Sequence, residues 1–498
     1  MSYRSYIFSM AGETLIVICI MTKIFVVACF IGLSVQAQAQ EKWTLQSLVE
    51  YALKHNVSIR QLQLQEKNAA LTYNQSKQAK YPSLDFGGSG SLNSGSNQDP
   101  TTFGRNTTTY FSSGFQLQSS ADIFNFYSKR NQILANEWEL QAAKANTDKL
   151  RSDVVLNIAN TYLQFLLASE QKKIAVLQLV QTKEQFGDIR KRVNAGSLPE
   201  LNATQLEAQV ANDSLNVINA QGAVDQNLLL LKNIIGMDAS QRLDLEVPSA
   251  ENIPVLPIAT LQPQDVYLSA LKNMPQQRYN SLRAKAAAYS IKSAKASMLP
   301  SLSGFASLGT GSSSVYQEVT GIKTTTNGTI PIGSVVVGGT SYVVTTPNIT
   351  TTPVFSKPGL FSQYSDNFRQ SVGLSVSVPI ARGGVLKANY HRAQLNLASI
   401  QLQQEADDKK LQQDIYQAYQ AAVLALEKIN ASQKAVQANE KTFEYAKKRF
   451  DVGMLGTYDL LITQNNLLRA RLDYAISKYD YVFKMKVLEF YKGEGIKL

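Results

Sequence analysis

Histidine and cysteine, two of the side chains that most often carry catalysis or bind metal ions, are scarce in this chain of 498 residues. Its two histidines, His55 and His391, lie in unrelated sequence contexts, one in each half. A histidine site needs a second ligand or an acid–base partner, and no shared pattern supplies one. The adjacent acids Asp407 and Asp408 are expected on the solvent face of a helix. We therefore expect no enzyme, no metal site and no cofactor.

Both cysteines, Cys19 and Cys29, lie in the N-terminal segment. Lys23 is followed there by a run of apolar residues, and residues 37–39 form a small-x-small cleavage pattern. We interpret residues 1–39 as a signal peptide. The mature chain then has no disulfide, no thiol nucleophile and no cysteine metal site.

The N-terminal segment allows other interpretations, which concern the start codon and whether the segment is cleaved, retained or lipidated. Met21 would give a more typical signal length. A retained anchor helix over residues 14–35 would place Lys23 inside the apolar run, at a high energetic cost. Residues 26–29 loosely resemble a lipoprotein box, although the apolar run continues past Cys29. No later stretch has the apolar length of a transmembrane helix, so any membrane insertion must use strands.

The balance of charges excludes one class of partner. The formal net charge is +11, which by itself would suggest an anionic partner such as nucleic acid. However, Lys and Arg are scattered beside Asp and Glu, and no basic block is interleaved with aromatic residues. We therefore expect a solvated helical surface rather than a nucleic-acid interface.

The elements that would position any site are dominated by one long helix. Residues 385–452 contain neither glycine nor proline. Apolar residues recur there at every seventh position, at Ile415, Ala422, Ile429, Val436, Phe443 and Phe450. A second seam of small or short residues follows three positions later, from Ala418 to Ala446. A heptad pattern of this length predicts a helix of about 100 Å wound left-handedly against its neighbours.

The sequence is organised as two copies of one unit. Ala52 and Pro82 recur 218 residues later as Ala270 and Pro300. From position 158 onwards the spacing is 257 residues without a gap, and it matches the following pairs: Ile158/Ile415, Tyr162/Tyr419, Glu170/Glu427, Phe186/Phe443, Arg192/Arg449, Gly196/Gly453 and Gly236/Gly493. The change in spacing means that the second copy has gained 39 residues between positions 302 and 371.

Each copy is predicted to contain a half-helix, two strands, a long helix and a return helix. In the first copy these are residues 45–80 with a break near Asn56, 84–92, 111–123, 124–194 and 199–235. We divide the chain into a signal peptide (1–39), repeat 1 (40–236), an equatorial linker (237–263), repeat 2 (264–493) and a C-terminal tail (494–498). Repeat 2 carries an extended extracellular loop, 309–366, in which an additional hairpin is expected around residues 335–343.

The predicted strands alternate apolar and polar residues. Val372, Leu374 and Val376 alternate with Gly373 and Ser375. This pattern is typical of a transmembrane barrel or of a half-buried soluble sheet; export and the long helices favour the barrel. Four strands cannot close a barrel, so several chains must combine. Two chains would give eight strands around a filled interior, and three would give twelve strands around a lumen.

Taken together, these features resemble the outer membrane efflux protein family, the TolC-like channels. The resemblance covers the whole mature chain and depends on the tandem repeat and on three kinds of motif. The motifs are the strand entries at residues 82–84 and 300–302, the Val-Pro-Ile at 378–380, and the helix-turn sequences at 191–198 and 448–455. The implied fold is mainly α with a membrane β-barrel portion: a long antiparallel coiled-coil α-barrel plus four strands per chain, in a homotrimer with a twelve-stranded barrel.

The resemblance also implies partners. We expect a passive conduit in the outer membrane of a Gram-negative bacterium, contacting outer-membrane lipid and extending into the periplasm. A periplasmic adaptor (membrane fusion) protein and an inner-membrane transporter would work with it. The adaptor would dock on the two helical turns, whose candidate contact residues are Gly196, Ser197, Leu198, Gly453, Met454 and Leu455.

The resemblance further implies a gate at the periplasmic entrance. An acid shortly after the second turn narrows the entrance in this family, and Asp459 matches that position. Three copies would form an acidic ring that favours cations. Ile462 replaces a second family acid, and Phe450 and Leu455 replace the residues of a hydrogen-bonded latch. The alternative role for Asp459 is an N-terminal acid stabilised by the helix dipole.

Two other functions fit parts of this pattern. A structural coiled-coil or adhesin protein of the outer membrane would need no conduit, but the alternating strands argue against it. A diffusion porin would need a barrel, but the long helices argue against it, since a porin has no use for such rods.

Overall fold

A computed structural model describes residues 42–98, 103–248 and 253–494. The helices are α1 (Leu45–His55), α2 (Val57–Gln78), α3 (Ser128–Asn194), α4 (Glu200–Ile235), α5 (Pro263–Asn273), α6 (Pro275–Ala296), α7 (Leu360–Asp366), α8 (Val385–Asp451) and α9 (Thr457–Lys492). The strands are β1 (Ser83–Gln98), β2 (Arg105–Phe124), β3 (Ser301–Ser313), β4 (Glu318–Val337), β5 (Thr340–Ser356) and β6 (Arg369–Ser377). The predicted signal peptide, its anchor and lipoprotein alternatives, and most of the predicted tail lie outside the described residues.

The helices of the two halves have matching lengths. Helices α1 and α5 have 11 residues, α2 and α6 have 22, α3 and α8 have 67, and α4 and α9 have 36. The predicted break is confirmed at Asn56, whose side-chain amide donates to the Ile234 carbonyl (2.7 Å) while its oxygen accepts the Ile59 N–H (3.1 Å). In the second half Met274 separates α5 from α6, and Pro275 opens α6.

The predicted heptad helix is confirmed as α8. Every position of both seams is buried or half-buried, and Ile415 and Ala422 are completely buried. The seven-residue spacing therefore identified the face along which this helix packs. Among the described residues, no helix combines enough length and apolar character to cross a membrane.

The chain forms two compact units. The helical unit comprises the described parts of Met1–Gln63, Asn146–Gln277 and Asp407–Leu498, and the sheet unit comprises those of Leu64–Ala145 and Arg278–Ala406. The core of the helical unit contains large side chains that are almost completely buried, among them Leu48, Ile158, Leu166, Leu231 and Ile235.

Within the helical unit, the linker that follows α4 packs on the helices. Its backbone forms a parallel bridge with the N-terminal segment, where Trp43 N–H donates to Asp244 O (2.9 Å) and Glu246 N–H donates to Trp43 O (3.0 Å). The Tyr162 hydroxyl donates to the Glu246 carbonyl (2.8 Å). Burial, together with the nearby Glu246 carboxylate, raises the pKa of Tyr162 to about 12.

Polar side chains of the return helices hold the linker from both ends. Lys232 of α4 donates to the Ala239 carbonyl (2.9 Å). Glu489 of α9 accepts the Leu256 N–H (2.8 Å) and forms an ion pair with Lys486 (2.8 Å). Because both side chains of that pair are nearly fully buried, each depends on the other to satisfy its charge.

The sheet unit contains an antiparallel sheet with strand order β1-β2-β3-β6. Its register pairs Ser83 with Ser120 and Ser301 with Ser377, so the helix-connected ends of the four strands lie at one end of the sheet. Strands β1 and β6 each have a single neighbour, so both outer edges of the sheet are unpaired in the described chain.

The predicted alternation gives this sheet two different faces. One face carries exposed apolar side chains, including Phe86, Val372 and Leu374. The other carries serines whose hydroxyls pair across strands, such as Ser91 with Ser112 and Ser307 with Ser371, both at 2.8 Å. The sheet is therefore apolar on one side and hydroxyl-lined on the other.

The main sheet has the four predicted strands, and β4 and β5 bring the described total to six. Strands β4 and β5 pair with each other in a separate two-stranded sheet that turns at Gly338 and Gly339. The hairpin expected around residues 335–343 is confirmed at its tip, but it extends back to Glu318 and Ser356. The added residues are rich in Thr and Val, which favour extended backbone, and they therefore form strands instead of an irregular loop.

The short helix α7 covers the end of β3 that extends beyond β6. Gln363 Oε1 accepts the Ser313 N–H (2.8 Å), and Asn367 Nδ2 donates to the Gly311 carbonyl (2.8 Å). The Tyr364 hydroxyl lies 2.6 Å from Ser113 Oγ. Gln363 and Asn367 thus satisfy backbone groups that an uncovered strand edge would leave open for another chain.

Candidate functional site

The two predicted helical turns have the same backbone structure. After α3, the Ser197 N–H donates to Arg192 O (3.0 Å) and the Gly196 N–H donates to Val193 O (2.9 Å). After α8, Met454 and Gly453 make the equivalent bonds, at 2.8 and 3.0 Å. This is a Schellman motif, in which the glycine takes a left-handed conformation; φ is 74° at Gly196 and 75° at Gly453.

The predicted docking residues differ in exposure. Gly196, Ser197, Gly453 and Met454 are exposed, and the Met454 side chain is 71% accessible. Leu198 and Leu455 were expected to be exposed, but both are half-buried. Leu198 packs against a buried cluster, described next, because the chain turns back there to begin α4. The exposed apolar surface at the turns is therefore contributed by Met454 together with its neighbour Val452, which is 69% accessible.

A small apolar cluster joins the two helical hairpins just above the turns. Ile189 and Leu206 of the first hairpin and Leu461 of the second are its buried members. Partly buried side chains surround them: Phe186, Val193, Leu198 and Phe450. An ion pair between Arg190 and Glu200 closes the first hairpin across its turn. The two turns are thus held side by side as one surface.

A cavity of about 320 Å³ lies beside this cluster, between the hairpins. Its lining includes the charged side chains Glu184, Asp188, Arg192, Lys447 and Asp451. Two buried polar atoms nearby, Gln185 Oε1 and Thr457 Oγ1, have no hydrogen-bond partner among the described residues. The cavity is therefore polar, and an apolar occupant would leave these groups unsatisfied.

Asp459 lies in the first turn of α9 and is exposed. Gly456, which caps this helix, has no side chain to accept the free N–H groups. A Cβ placed on Gly456 would lie 3.8 Å from Asp459 Oδ2, so the carboxylate lies over the start of its own helix. This position suits an acid stabilised by the helix dipole and leaves the carboxylate open to solvent. Ile462, one turn further on, is also partly exposed.

A buried polar network that the sequence did not predict lies further along the hairpins. The Thr182 hydroxyl donates to Asp213 Oδ2 (2.7 Å), and Gln464 Nε2 donates to Thr182 Oγ1 (3.1 Å). Gln209 Nε2 donates to the other oxygen of Asp213 (2.8 Å). Asp213 is only 1% accessible, and the network links the first hairpin to the second. Thr182 matches Asn439 in the seam of small or short residues, where a polar residue is ordinary, so the heptad pattern gives no signal for this network.

The remaining polar candidates do not assemble into a reaction centre. His55 stacks on Tyr51, with ring centroids 4.0 Å apart, and His391 contacts Gln394. Asp407 and Asp408 are half-buried rather than on the solvent face; Gln276 Nε2 donates to Asp407 (3.0 Å). Partial burial and the neighbouring Asp407 raise the pKa of Asp408. No metal-binding group of three or more His, Cys, Asp or Glu side chains occurs within the described ranges.

Comparison with known proteins gives consistent matches over most of the chain. The family model described as outer membrane efflux protein matches residues 48–237 and 266–491. The chain is 21% identical over 458 residues to the outer membrane efflux protein BepC of Brucella suis, covering 91% of this chain and 85% of that protein. It is 22% identical over 458 residues to the outer membrane protein TolC of Escherichia coli, covering 91% and 82%.

Solved structures give the same result for the fold. The crystal structure of the Campylobacter jejuni CmeC outer membrane channel superposes with a TM-score of 0.69 at 19% identity. The match covers 91% of this chain and 86% of that one. Mainly helical architecture with antiparallel strands is therefore shared over nearly the whole length of both proteins.

Proposed function

The chain belongs to the outer membrane efflux protein family and is an outer-membrane protein of a Gram-negative bacterium, and we propose that it is the passive outer-membrane conduit of a tripartite export system. In this proposal three copies form the channel. A periplasmic adaptor and an inner-membrane transporter deliver the cargo and supply the energy.

The observation that carries the proposal is the open sheet. Among the described strands, β1 and β6 each have one unpaired edge, and such edges favour pairing with another chain. Three copies of a four-stranded sheet, joined edge to edge, would close a barrel of twelve strands. The apolar face would contact lipid, and the serine-lined face would surround the lumen.

The helices support the periplasmic part of the proposal. A continuous helix of 67 residues is about 100 Å long, and α3 and α8 both have this length. The heptad seams supply the packing surface for neighbouring helices. We propose that the helices of three chains form a twelve-helix tunnel, which continues the lumen of the barrel.

We further propose that the chain arose as two tandem copies. The copies are residues 40–236 and 264–493, preceded by a signal peptide (1–39), joined by the linker 237–263 and followed by the tail 494–498. The equal lengths of the paired helices support this division, since four independent pairs agree. The extended loop 309–366 would then be a later addition to the second copy, on the extracellular side.

The turns are the proposed adaptor site. Their exposed members are Gly196, Ser197, Gly453 and Met454, and we expect an adaptor to contact this surface with an apolar residue against Met454. Asp459 is the proposed gate residue. Three copies of an exposed carboxylate at one entrance would attract cations and repel one another.

Conductance measurements test the conduit. The purified mature chain, reconstituted into planar bilayers, is expected to form trimers and discrete conducting channels. A folded trimer without conductance would instead support a structural or adhesin role. Passive uptake that falls on deletion of the gene, with export unchanged, would support a porin.

Ion selectivity tests the gate. Asp459→Asn is expected to lower the preference for cations over anions, because it removes three charges from the entrance. Asp473→Asn is the matched control, since Asp473 is an exposed acid 14 residues further along the same helix. Unchanged selectivity in Asp459→Asn would leave this residue with only its helix-stabilising role.

A further inference from the structure

The helix-connected end of the sheet carries an unusual concentration of positive charge. All four junctions between strand and helix meet at this end because of the register of the sheet. Residues 77–83, 123–131, 291–301 and 378–392 contain no Asp or Glu. They contain several Lys and Arg, with at least two in every junction.

Six of these cations form what we call the basic collar: Lys80, Arg130, Lys292, Lys295, Arg382 and Lys387. All six are exposed, and none has an ion-pair partner among the described residues. Lys129 is different, because it pairs with Asp122 (2.7 Å). The six collar cations therefore outnumber the acids at this end of the sheet, which are Asp85 and Asp122, and Asp122 is already paired with Lys129.

Exposed apolar and aromatic side chains occur at the same junctions. Tyr81 is 73% accessible, Tyr127 is 59% accessible and Ile380 is 92% accessible. Aromatic residues with nearby cations are typical of the level where the hydrocarbon of a membrane meets its headgroups. The opposite end of the sheet carries both signs, with Glu318 and Asp366 beside Lys323 and Lys357 in the connecting segments.

We propose that the basic collar binds phosphate groups of anionic phospholipids in the periplasmic leaflet of the outer membrane. The assignment to that leaflet rests on the proposed function, in which the helices extend into the periplasm. Clustered Lys and Arg next to a membrane segment attract anionic headgroups, and the accompanying apolar side chains enter the acyl region. The collar would fix the height and tilt of the sheet in the membrane.

A charge-removal variant tests the proposal in the full mature chain. It carries Lys80→Gln, Lys295→Gln, Arg382→Gln and Lys387→Gln. The control removes the same number of charges from exposed lysines of the helical unit, with Lys183→Gln, Lys428→Gln, Lys434→Gln and Lys441→Gln. A charge-retaining variant, with Lys80→Arg, Lys295→Arg and Lys387→Arg, separates charge from side-chain shape.

Phosphatidylglycerol binding is measured by native mass spectrometry of the protein in phosphatidylcholine micelles that contain this lipid. Each cation near an anionic surface contributes roughly fivefold to association, so we expect at least about a tenfold weaker affinity in the collar variant. The control and the charge-retaining variant should stay within about twofold of the parent. Equal losses in the collar variant and the control would overturn the proposal, because total charge alone would then explain the binding.

Two further measurements identify the source of the phosphate. Soluble glycerol 3-phosphate should not displace phosphatidylglycerol; displacement would overturn the assignment to lipid and favour a small-anion site. A collar variant that binds lipid normally but changes ion selectivity in planar bilayers would overturn it as well, because the collar would then line the pore. Absence of conductance in the parent would refute the conduit proposal, while the lipid affinities of the variants could still be compared.

Discussion

The two helical hairpins, α3–α4 and α8–α9, have equal lengths and the same turn, yet matched positions bury different side chains. In the first hairpin, Thr182 and Asp213 form a completely buried hydrogen bond. The positions 257 residues later hold Asn439 and Ala470. Asn439 donates to the carbonyl of Ala435 in its own helix (2.8 Å), so it makes no bond across the hairpin.

The difference shows that heptad spacing and polar residues specify different properties. The heptad spacing determines the face on which α8 packs, and the matched positions of α3 follow the same spacing except at Lys172. The buried polar residues determine which neighbour is recognised, because Thr182 also accepts a hydrogen bond from Gln464 of the second hairpin. A polar group in a buried seam is known to fix register in coiled coils. The second hairpin instead leaves an open groove beside Asn439 and Ala470.

The largest expected effect comes from removing the buried acid. Asp213→Ala leaves the Thr182 hydroxyl and the Gln209 amide without their acceptor. We expect the free energy of unfolding to fall by about 2–3 kcal/mol, measured by denaturant titration in detergent. Ala470→Ser, at the matched position, should cost less, about 1 kcal/mol, because Ala470 is buried but lies beside an open groove. Equal effects at both positions would mean that the hairpins are energetically equivalent.

Tyr162 and its counterpart Tyr419 provide a second matched pair. Tyr162 is buried and donates to the linker, whereas Tyr419 is half-buried. Tyr162→Phe should lower the free energy of unfolding by about 1.5 kcal/mol, because the Glu246 carbonyl loses its donor. Tyr419→Phe should have a smaller effect. A loss at Tyr419 as large as at Tyr162 would contradict the assignment of the linker contact to the first half.

The stability of the protein at alkaline pH gives a second test of the Tyr162 contact. The pKa of Tyr162 is raised from 10 to about 12 in the folded chain, so folding favours its neutral form. Below pH 10 the Tyr162 hydroxyl is neutral in both the folded and the unfolded chain, so it does not make the free energy of unfolding depend on pH. Between pH 10 and 12 the unfolded chain ionises first, and stability should fall as the pH rises. Tyr162→Phe should remove this part of the decline, as followed by circular dichroism; an unaltered decline would assign it to other tyrosines.

The glycines of the two turns should respond alike. Gly196→Ala and Gly453→Ala each force alanine into a left-handed conformation, at a cost of about 1 kcal/mol. Neither position has an atom within 4 Å of an added Cβ, so no steric clash is added. Denaturant titration should therefore give nearly equal losses. A much larger loss at Gly453 would indicate that this turn is packed against another copy.

The sequence predicted the regular part of this fold because the pattern recurs. The heptad seam extends along most of α8, and the residues matched at a spacing of 257 and the helix break near Asn56 occur in both halves. A single residue that departs from such a pattern therefore does not change the interpretation. Alternation in β6 was sufficient to predict which of its residues share a face of the sheet.

The candidate site was predicted less well, because its properties depend on contacts between distant segments. Leu198 belongs to the turn motif, yet it is half-buried because α4 and the Leu461 region lie against it. Asp408 was expected on a solvent face, but partial burial beside Asp407 raises its pKa. The bond between Thr182 and Gln464 joins positions 282 residues apart, and no local pattern indicates such a pairing.

The smallest effect is expected from the feature that differs most between the two halves. In the first half β1 ends at Gln98 and the next strand, β2, begins at Arg105, whereas in the second half β4 and β5 lie between β3 and β6. This hairpin pairs only with itself among the described strands, and nearly all of its side chains are exposed. An isolated two-stranded hairpin is marginally stable and contributes little to the rest of a fold.

Replacing residues 318–356 with a short Gly-Ser linker should therefore change the free energy of unfolding of the helical unit by less than about 0.5 kcal/mol. Denaturant titration followed by helical circular dichroism measures this change. A loss several times larger would show that the hairpin packs on another chain in the assembled protein, and that the second half carries an assembly contact that the first half lacks.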